Sequence, residues 1–292
     1  MRVAVIGLGL MGSAASRRLR DAGFELILWN RSFEKAEMLA RELNATLAKS
    51  VAEAVERAEI ALLFLADDEA AISVAMSIPR ADGLVVSNFS TITPRTSIQL
   101  SEFLKTRGVC YLETPVIGGP GVIREGKAIV LLAGPRYCSR RARGVLEALA
   151  SDIVEISEDV GKASALKLAF NLLLINTIAS LAEALSLAEA YEVDRSIVVE
   201  VLSKSMFREI VERYYNRMVS EEAPVGFKLS LAAKDLEYAL RAGYEKRLPL
   251  PVTASTQQLY RLALRAGLGE ADYTKIYKFI REINKLITRT RT

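Results

Sequence analysis

RVAVIGLGLMG, at residues 2–12, gives the strongest indication of the fold of this 292-residue chain. A short apolar run ends at Gly7, and Gly9 and Gly12 complete a G-x-G-x-x-G pattern directly before the helical sequence SAASRRLRD. Glycines at this spacing permit a tight turn, the close approach of a pyrophosphate and the packing of helix on strand. The N-terminus of the following helix adds backbone donors and a partial positive charge. The stretch therefore predicts a dinucleotide site.

The next strand candidate, ELILW at residues 25–29, ends in Asn30, Arg31 and Ser32 rather than in an acidic residue. An Asp or Glu at this place accepts a hydrogen bond from the ribose 2′-hydroxyl of NAD, and its charge would repel a 2′-phosphate. A guanidinium instead pairs with phosphate in bidentate fashion, and Asn and Ser can donate to its oxygens. We therefore expect NADP as the cofactor, bound by these three residues.

Strand and helix patterns divide the chain into two parts. Six short apolar runs alternate with amphipathic stretches up to residue 158: RVAVIG, ELILWN, IALLFLA, LVVSNF, VCYLET and AIVLLAG. This alternation predicts βαβ units and a mostly parallel sheet. Helical periodicity then covers residues 163–191, 195–219, 228–243, 252–266 and 272–288. The predicted fold is an N-terminal α/β domain of the Rossmann type, residues 1–160, joined by a long helix to an all-helical C-terminal domain, residues 161–292.

Composition excludes several classes of protein. The chain is 51% hydrophobic and 25% charged, and its net charge of +4 is spread among nearly equal numbers of basic and acidic residues, so no nucleic-acid partner is expected. The charge-free stretch 168–182 is shorter than the roughly 20 residues of a membrane span, and the N-terminus does not read as a signal peptide. We therefore expect a cytoplasmic protein without a membrane partner. Few glutamines with many Arg and Glu are typical of a thermophile.

The sequence also contains two cysteines and a basic C-terminal segment. The cysteines, Cys110 and Cys138, allow one disulfide or none, and their spacing does not indicate a metal site. The closing sequence ITRTRT, residues 287–292, is expected to be a frayed basic tail.

A lysine is the leading candidate for acid–base chemistry, because the chain contains no histidine. An enzyme that moves a hydride to or from an alcohol needs a general acid/base near the reacting carbon, commonly His or Lys. Lys167 opens a long apolar run, and Asn171 follows four residues later, so both side chains leave one face of a helix. The alternative is that the two residues form only the polar edge of an amphipathic helix.

Four segments, in order, resemble the signatures of the β-hydroxyacid dehydrogenase family and together cover essentially the whole chain. They are Gly7-Leu-Gly9-Leu10-Met11-Gly12, ETPVIGGPGVIREGKAIVLLAGP from Glu113, GKASALKLAFN at residues 161–171, and FKLSLAAKDLEYAL from Phe227. The resemblance implies a Rossmann domain joined by one long helix to a helical domain, which agrees with the pattern above. It also assigns roles to particular residues.

By this resemblance Lys167 is the catalytic lysine and Asn171 is its partner on the helix. The substrate contacts the loop of Gly118 and Gly119 and also Thr91. The cofactor is bound by the glycine loop with Leu10 and Met11, by the residues after the second strand, and by Leu65, Ala66, Thr91 and Lys234. One departure concerns the substrate loop, where Ile117 stands in place of the usual serine. Backbone donors of the two glycines could still hold a carboxylate.

The resemblance also implies the reaction. We expect NADP-dependent oxidation of a short 3-hydroxy acid, either L-serine or 3-hydroxyisobutyrate, with L-serine favoured. One alternative is a reductase of glyoxylate or succinic semialdehyde, and another is a non-catalytic NADP-binding module that serves as an interaction surface. Lys167 favours an enzyme and argues against the imine reductases, which resemble this family but replace the lysine. The long helix is too apolar for one small domain to cover, so a homodimer or homotetramer is expected.

Overall fold

The computed structural model describes residues 1–289, with side chains described to residue 284. Its strands are β1 Arg2–Ile6, β2 Glu25–Trp29, β3 Thr46–Leu47, β4 Ile60–Leu63, β5 Val85–Asn88, β6 Cys110–Glu113, β7 Val116–Ile117, β8 Ala128–Ala133 and β9 Ala150–Ser157. Its helices are α1 Leu10–Asp21, α2 Phe33–Leu43, α3 Val51–Glu56, α4 Asp68–Met76, α5 Pro94–Lys105, α6 Pro120–Arg124, α7 Arg136–Leu149, α8 Lys162–Ala190, α9 Arg195–Ser203, α10 Arg208–Val219, α11 Leu229–Glu245, α12 Pro251–Arg265 and α13 Ile276–Arg289.

The strands form one sheet in the order β3-β2-β1-β4-β5-β6-β8-β7, and β9 also pairs with β8. Strands β1 to β6 run parallel, whereas β8 runs antiparallel to both β6 and β7. Alternate residues of β1 enter different cores: Val3 and Val5 pack with α1, α2 and α7, and Ala4 and Ile6 pack with α3, α4 and α5. Helices therefore cover both faces, and ligands of such sheets bind beyond the carboxyl ends of the strands.

The predicted α/β architecture and its six strands are confirmed, and the sheet contains three further strands. Strands β3 and β7 are two residues long, which is too short to give a period. Strand β9, ASDIVEIS, is largely exposed on both faces, so its sequence lacks the apolar run that marks the central strands.

The second half is helical, as predicted, around a core that includes Ile178, Leu236, Tyr260 and Tyr277. The predicted helix 195–219 is two helices, α9 and α10, separated by residues 204–207. Asp194 caps α9 by accepting a hydrogen bond from the backbone N–H of Ser196. The break contains neither Gly nor Pro, so no helix-breaking residue marks it in the sequence.

Contacts divide the chain into two compact units, Met1–Ala169 and Phe170–Thr292, so the division falls inside α8, whereas the predicted boundary between residues 160 and 161 lies at its start. The helix has 29 residues and is apolar, so its length and composition alone would allow it to cross a membrane. The charge-free stretch 168–182 is only part of this helix, so its shortness does not exclude a membrane span, and the lack of a membrane partner stays a prediction. The expected tail extends to residues 290–292, which lie outside the described residues.

A disulfide links Cys110 of β6 to Cys138 of α7, with a Cα–Cα distance of 6.3 Å. Both cysteines are buried in the core between the sheet and the helices α1, α2 and α7. The sequence allowed one disulfide or none, and the structure has one.

Candidate active site and cofactor site

The glycine loop after β1 is built by close contacts that only glycine permits. Gly7 has φ +93°, and a Cβ there would lie 2.3 Å from the backbone oxygen of Phe64. A Cβ at Gly12 would lie 1.9 Å from the backbone oxygen of Gly7. These two glycines therefore let the loop fold tightly against the end of β4 and against the first turn of α1.

Gly9 differs from its two neighbours in the motif, since a Cβ there would meet nothing within 4 Å. It is the N-cap of α1, and no side chain caps this helix end. The first N–H groups of α1 lack partners within the helix and carry its positive end. Open space above a glycine and unpaired donors is what a dinucleotide pyrophosphate needs. Of the first two residues of α1, Leu10 is exposed and Met11 is half-buried. The loop fits the predicted cofactor.

The residues after β2 divide between supporting the loop and facing solvent. Asn30 accepts a hydrogen bond from the backbone N–H of Leu8 through Oδ1 (3.0 Å) and donates from Nδ2 to the backbone oxygen of Ser32 (3.1 Å). Its amide thus connects the glycine loop to the second strand. Arg31 is exposed and Ser32 is half-buried at the N-cap of α2, its hydroxyl 3.1 Å from a carboxylate oxygen of Glu34. Arg31 is therefore the cation available for a 2′-phosphate.

A buried polar network supports the loop after β4. The backbone N–H of Leu65 donates to Oγ of Ser90 (2.8 Å), and the Asn88 side chain accepts from the backbone N–H of Ser90 (3.0 Å) and donates to the Tyr111 hydroxyl (2.9 Å). Burial raises the pKa of Tyr111, so this hydroxyl stays neutral. The network fixes the half-buried Leu65 and the exposed Ala66 beside the sheet edge.

Thr91 is half-buried and directly follows this network. Two residues later Thr93 caps α5, and Asp68 of α4 accepts hydrogen bonds from its backbone N–H (2.9 Å) and hydroxyl (2.7 Å). Thr91 therefore lies in a short loop that is held at both ends, beyond the carboxyl end of β5.

The predicted substrate loop follows β7. Gly118 has φ +138°, and a Cβ there would lie 2.9 Å from Val122, whereas a Cβ at Gly119 would meet nothing within 4 Å. Gly119 thus leaves open space, as Gly9 does in the cofactor loop. Ile117 packs against the small cluster of Leu131, Ala133 and Ala163. Where a serine would offer a hydroxyl, this chain has hydrocarbon packed near the first turn of α8.

Lys167 lies half-buried in the second turn of α8, within the N-terminal unit. The first turn of the helix is attached to the end of β6 by Glu113. Its Oε2 accepts from the backbone N–H groups of Gly161 (2.9 Å) and Ala163 (3.0 Å) and its Oε1 accepts from the Ser164 hydroxyl (2.5 Å). Strands β5 and β6 pair in parallel with Asn88 opposite Glu113, so their carboxyl ends lie side by side. The start of α8, bound by Glu113, therefore lies at the same end of the sheet as Thr91, which follows β5.

Asn171 lies one turn beyond Lys167 on α8 and is 3% exposed. Its Nδ2 donates to Oδ2 of Asp235 on α11 (2.6 Å). The other carboxylate oxygen of Asp235 is 3.1 Å from Nζ of Lys234, whose ammonium also lies 4.7 Å from the centre of the Tyr238 ring. Asp235 takes one of the two N–H donors of the Asn171 amide, which leaves the amide oxygen as an acceptor, and the second N–H as a donor, for a hydroxyl or an amine.

Sequence reasoning placed Asp235 beside Lys234 in the last family segment but missed its contact with Asn171, and it missed the supporting roles of Glu113 and Asn88. Glu113, Asn88 and Asp235 are each no more than 2% exposed and each holds a segment that carries a predicted site residue. The position of Glu113 and Asn88 at the ends of buried strands was a signal, since polar groups buried there need partners. The partners of Glu113 and Asp235 lie 48 and 64 residues away in the sequence, so no local pattern identifies these two contacts, whereas Asn88 also accepts from the nearby Ser90 N–H.

Two family models match successive parts of the chain. Residues 2–157 match the model described as the NAD binding domain of 6-phosphogluconate dehydrogenase, and residues 161–280 match the model described as NAD-binding of NADP-dependent 3-hydroxyisobutyrate dehydrogenase. The two matches meet at the start of α8.

Individual proteins agree with these matches. The chain is 30% identical over 291 residues to the uncharacterized oxidoreductase YfjR of Bacillus subtilis (96% of this chain, 100% of the relative). It is 28% identical over 287 residues to the chloroplastic glyoxylate/succinic semialdehyde reductase 2 of Arabidopsis thaliana (96% and 79%). The structure of Mycobacterium tuberculosis 3-hydroxyisobutyrate dehydrogenase with L-serine has the same fold, with a TM-score of 0.83 at 23% identity over 96% of this chain and 99% of that one. The chain belongs to the β-hydroxyacid dehydrogenase family, the family of 3-hydroxyisobutyrate dehydrogenase, and is an NAD(P)-dependent oxidoreductase.

Proposed function

We propose that this protein oxidises a short 3-hydroxy acid, L-serine or 3-hydroxyisobutyrate, to its semialdehyde with NADP, and that Lys167 is the general acid/base. The observation that carries the proposal is the placement of Lys167 in the second turn of α8, whose first turn is attached by Glu113 to the sheet edge that bears Thr91. The chain has no histidine, and Lys167, the lysine at the start of the long apolar run, lies in the same unit as the cofactor loop.

The chain's own groups would perform the following steps. The N–H groups at the start of α1 and Arg31 hold the phosphates, and the backbone at Gly118 and Gly119 receives the substrate carboxylate. Lys167 as a neutral amine removes the hydroxyl proton while the amide oxygen of Asn171 accepts a hydrogen bond from the hydroxyl or the amine. The nicotinamide, when bound, supplies the hydride acceptor. Oxidation therefore speeds up with rising pH, because a protonated lysine cannot accept the proton.

Arg31 supports NADP over NAD. It is exposed after β2, makes no hydrogen bond or ion pair among the described residues, and no acidic residue ends the strand. An acidic residue, Glu34, does follow in the first turn of α2, but the Ser32 hydroxyl occupies one of its oxygens. We further propose, as the sequence predicts, that the protein works in the cytoplasm as a homodimer or homotetramer.

Reduction of an aldehyde acid is the second candidate, supported by the 28% identity to a glyoxylate/succinic semialdehyde reductase. The same lysine would then act as an ammonium that donates its proton to the developing alkoxide. The apolar Ile117 beside the substrate loop suits either direction with a small substrate that needs no side-chain donor there.

The test follows the absorbance of reduced nicotinamide with NADP and with NAD against L-serine, D-serine, 3-hydroxyisobutyrate, 3-hydroxypropionate and 4-hydroxybutyrate. Glyoxylate and succinic semialdehyde are assayed with NADPH. We expect turnover of one hydroxy acid with NADP and a loss of about 10³-fold or more in Lys167→Met, since general acid–base catalysis supplies 10²–10⁴-fold.

Lys162→Met is the matched control, because Lys162 is exposed on the same helix and pairs with Asp159. It should keep parental activity. Greater efficiency with an aldehyde and NADPH would replace the oxidative direction by the reductive one. If Lys167→Met turned over as fast as the parent, the acid/base role would be wrong, and if every substrate were inert the non-catalytic module would be revived.

A further inference from the structure

Glu113 is a carboxylate with three partners and almost no contact with solvent. It is 1% exposed at the end of β6, and each partner belongs to residues 161–164 at the start of α8. Burying a carboxylate destabilises the folded state unless hydrogen bonds satisfy its oxygens. The three donors around Glu113 are therefore required for this residue to remain buried.

The first turn of α8 needs such a partner. The first N–H groups of a helix have no acceptors within it, and the positive end of a 29-residue helix favours a negative charge. Gly161 adds a second constraint, with φ +101° and a Cβ position 3.0 Å from Ile98 of α5. The turn is thus held from β6 by the carboxylate and lies close against α5.

Lys167 lies one helical turn beyond the residues that Glu113 binds. Ser164 and Ala163, two of the residues bound by Glu113, precede Lys167 by the spacings that place side chains on one helix face. An α-helix is stiff over one turn, so a displacement of residues 161–164 moves Lys167 with them. The strand end that bears Glu113 pairs with the strand end that precedes Thr91.

We propose that Glu113 is a positioning residue of the reaction, which sets the place of Lys167 relative to the sheet edge by fixing the first turn of α8. The inference rests on the proposed role of Lys167. Glu113 itself does not exchange the proton. Its length matters more than its charge, because the amide of a glutamine could accept from both N–H groups through its oxygen and donate to the Ser164 hydroxyl oxygen.

Three variants separate length from charge. Glu113→Asp shortens the side chain by one methylene, so the carboxylate no longer reaches the first turn of α8 in the same position. It should lower kcat about 100-fold, which is the effect of displacing a reacting group by about 1 Å. The substrate KM and the NADP Kd should stay within about threefold, because neither ligand binds through Lys167 in the ground state. Glu113→Gln should keep kcat within about fivefold of the parent. Ser164→Ala, which removes one of three partners, should cost about tenfold and serves if Glu113→Asp does not fold.

Each variant is repeated in the Lys167→Met background and assayed with the fastest substrate of the panel. If Glu113 acts through Lys167, Glu113→Asp should cause no further loss beyond about twofold there. Asp194→Ala is the control, since it removes a carboxylate that caps α9 in the other unit, and it should lower the melting temperature without lowering kcat.

The outcomes are separable. A further loss of about 100-fold in the Lys167→Met background would assign Glu113 to general structure and overturn the inference, as would parental kcat in Glu113→Asp. A Glu113→Gln variant as slow as Glu113→Asp would also overturn it, because charge rather than position would be the cause. An inactive parent, or a fully active Lys167→Met, would overturn the proposed function and the inference with it. Loss of hydrogen-exchange protection at residues 161–163 in Glu113→Asp would then still report the contact itself.

Discussion

Two glycines of the cofactor loop are required for different reasons, and their variants should separate fold from binding. Gly12→Ala places a Cβ 1.9 Å from the backbone oxygen of Gly7, so it should destabilise the N-terminal unit by about 1–3 kcal/mol. Gly9→Ala meets nothing within 4 Å and should keep the parental melting temperature. It should weaken NADP about tenfold or more, because the methyl group occupies the space that the pyrophosphate needs. Thermal unfolding and a fluorescence titration with NADPH measure the two effects.

Gly144→Ala is the control for both, since it lies on α7 with nothing within 4 Å and outside the loop. It should lower neither the melting temperature nor the affinity for NADPH. Unchanged affinity in Gly9→Ala would place the pyrophosphate elsewhere than over this helix end.

Arg31 should decide which cofactor is preferred. Arg31→Ala removes a cation that could make charge-assisted hydrogen bonds to a 2′-phosphate, each worth about 1.5–3 kcal/mol, so the Kd of NADP should rise about 10–100-fold. The Kd of NAD should stay within about twofold, because NAD lacks this phosphate. Arg41→Ala on α2 is matched in charge but paired with Glu37 at 2.8 Å, and should leave both constants unchanged. Equal losses for the two cofactors in Arg31→Ala would contradict the preference for NADP.

At the scale of elements, the disulfide ties β6, the strand that ends in Glu113, to α7. The bridge closes a loop with a sequence separation of 28. The loss of chain entropy in the unfolded state predicts a stabilisation of about 3.5 kcal/mol. The double variant Cys110→Ala, Cys138→Ala should therefore melt about 10 °C lower. Reductant should lower the melting temperature of the parent but not that of the double variant. A parent that is insensitive to reductant even after partial unfolding would indicate free thiols in solution.

A second buried carboxylate, Asp272, joins elements of the helical unit. It accepts from Gly226 N (2.9 Å) and the Thr274 hydroxyl (2.7 Å) and pairs with Arg217 (2.6 Å). Burial alone would raise the pKa of Asp272, but the Thr274 hydrogen bond, the Arg217 charge and the Gly226 N–H together lower it below its ordinary value. Its contribution to stability is therefore complete above about pH 4, the ordinary value for Asp, and is lost as pH falls through the lowered pKa.

Asp272→Asn should thus lower the free energy of unfolding at pH 7 by about 3–5 kcal/mol, since it leaves Arg217 without its buried partner. Below the lowered pKa the parent and the variant should converge. Urea unfolding at pH 7 and at pH 2–3 measures both differences. A difference that disappears already above about pH 4 would contradict the lowered pKa, because a lowered pKa keeps Asp272 ionised there.

Elements were predictable where the sequence shows either a continuous apolar run, as in strands buried on both faces, or a helical period. The central strands β1, β2, β4, β5, β6 and β8 are buried on both faces and read as apolar runs. The exposed β9 and the break between α9 and α10 depend on tertiary pairing and capping, which leave no apolar signal. The same limit applies to the site. Its glycines, Lys167, Glu113 and Asp235 all stand in segments that resemble the family, but Glu113 and Asp235 bind residues 48 and 64 positions away, and these contacts cannot be predicted from the segments alone.

At the scale of the whole molecule, the exposed face of α8 predicts association. Leu166, Leu173 and Leu187 are 44%, 65% and 64% exposed and are spaced by seven and fourteen residues, so they form a stripe along the helix that the exposed Ser180 interrupts. An apolar stripe with a seven-residue repeat packs against a second helix as in a coiled coil. A second copy of the chain would bury it, in agreement with the homodimer or homotetramer proposed above.

Light scattering should accordingly give two or four times the chain mass of 32.1 kDa. Leu173→Lys with Leu187→Lys should shift this mass to that of one chain, because charged side chains would have to be buried without partners at the contact. Leu262→Lys, a substitution of a 54% exposed leucine on α12, should leave the mass unchanged. A parental mass of one chain would remove the proposal, and an unchanged oligomer in the double variant would assign the contact to another surface. If the double variant is monomeric but keeps its NADP affinity, the cofactor site is complete within one chain.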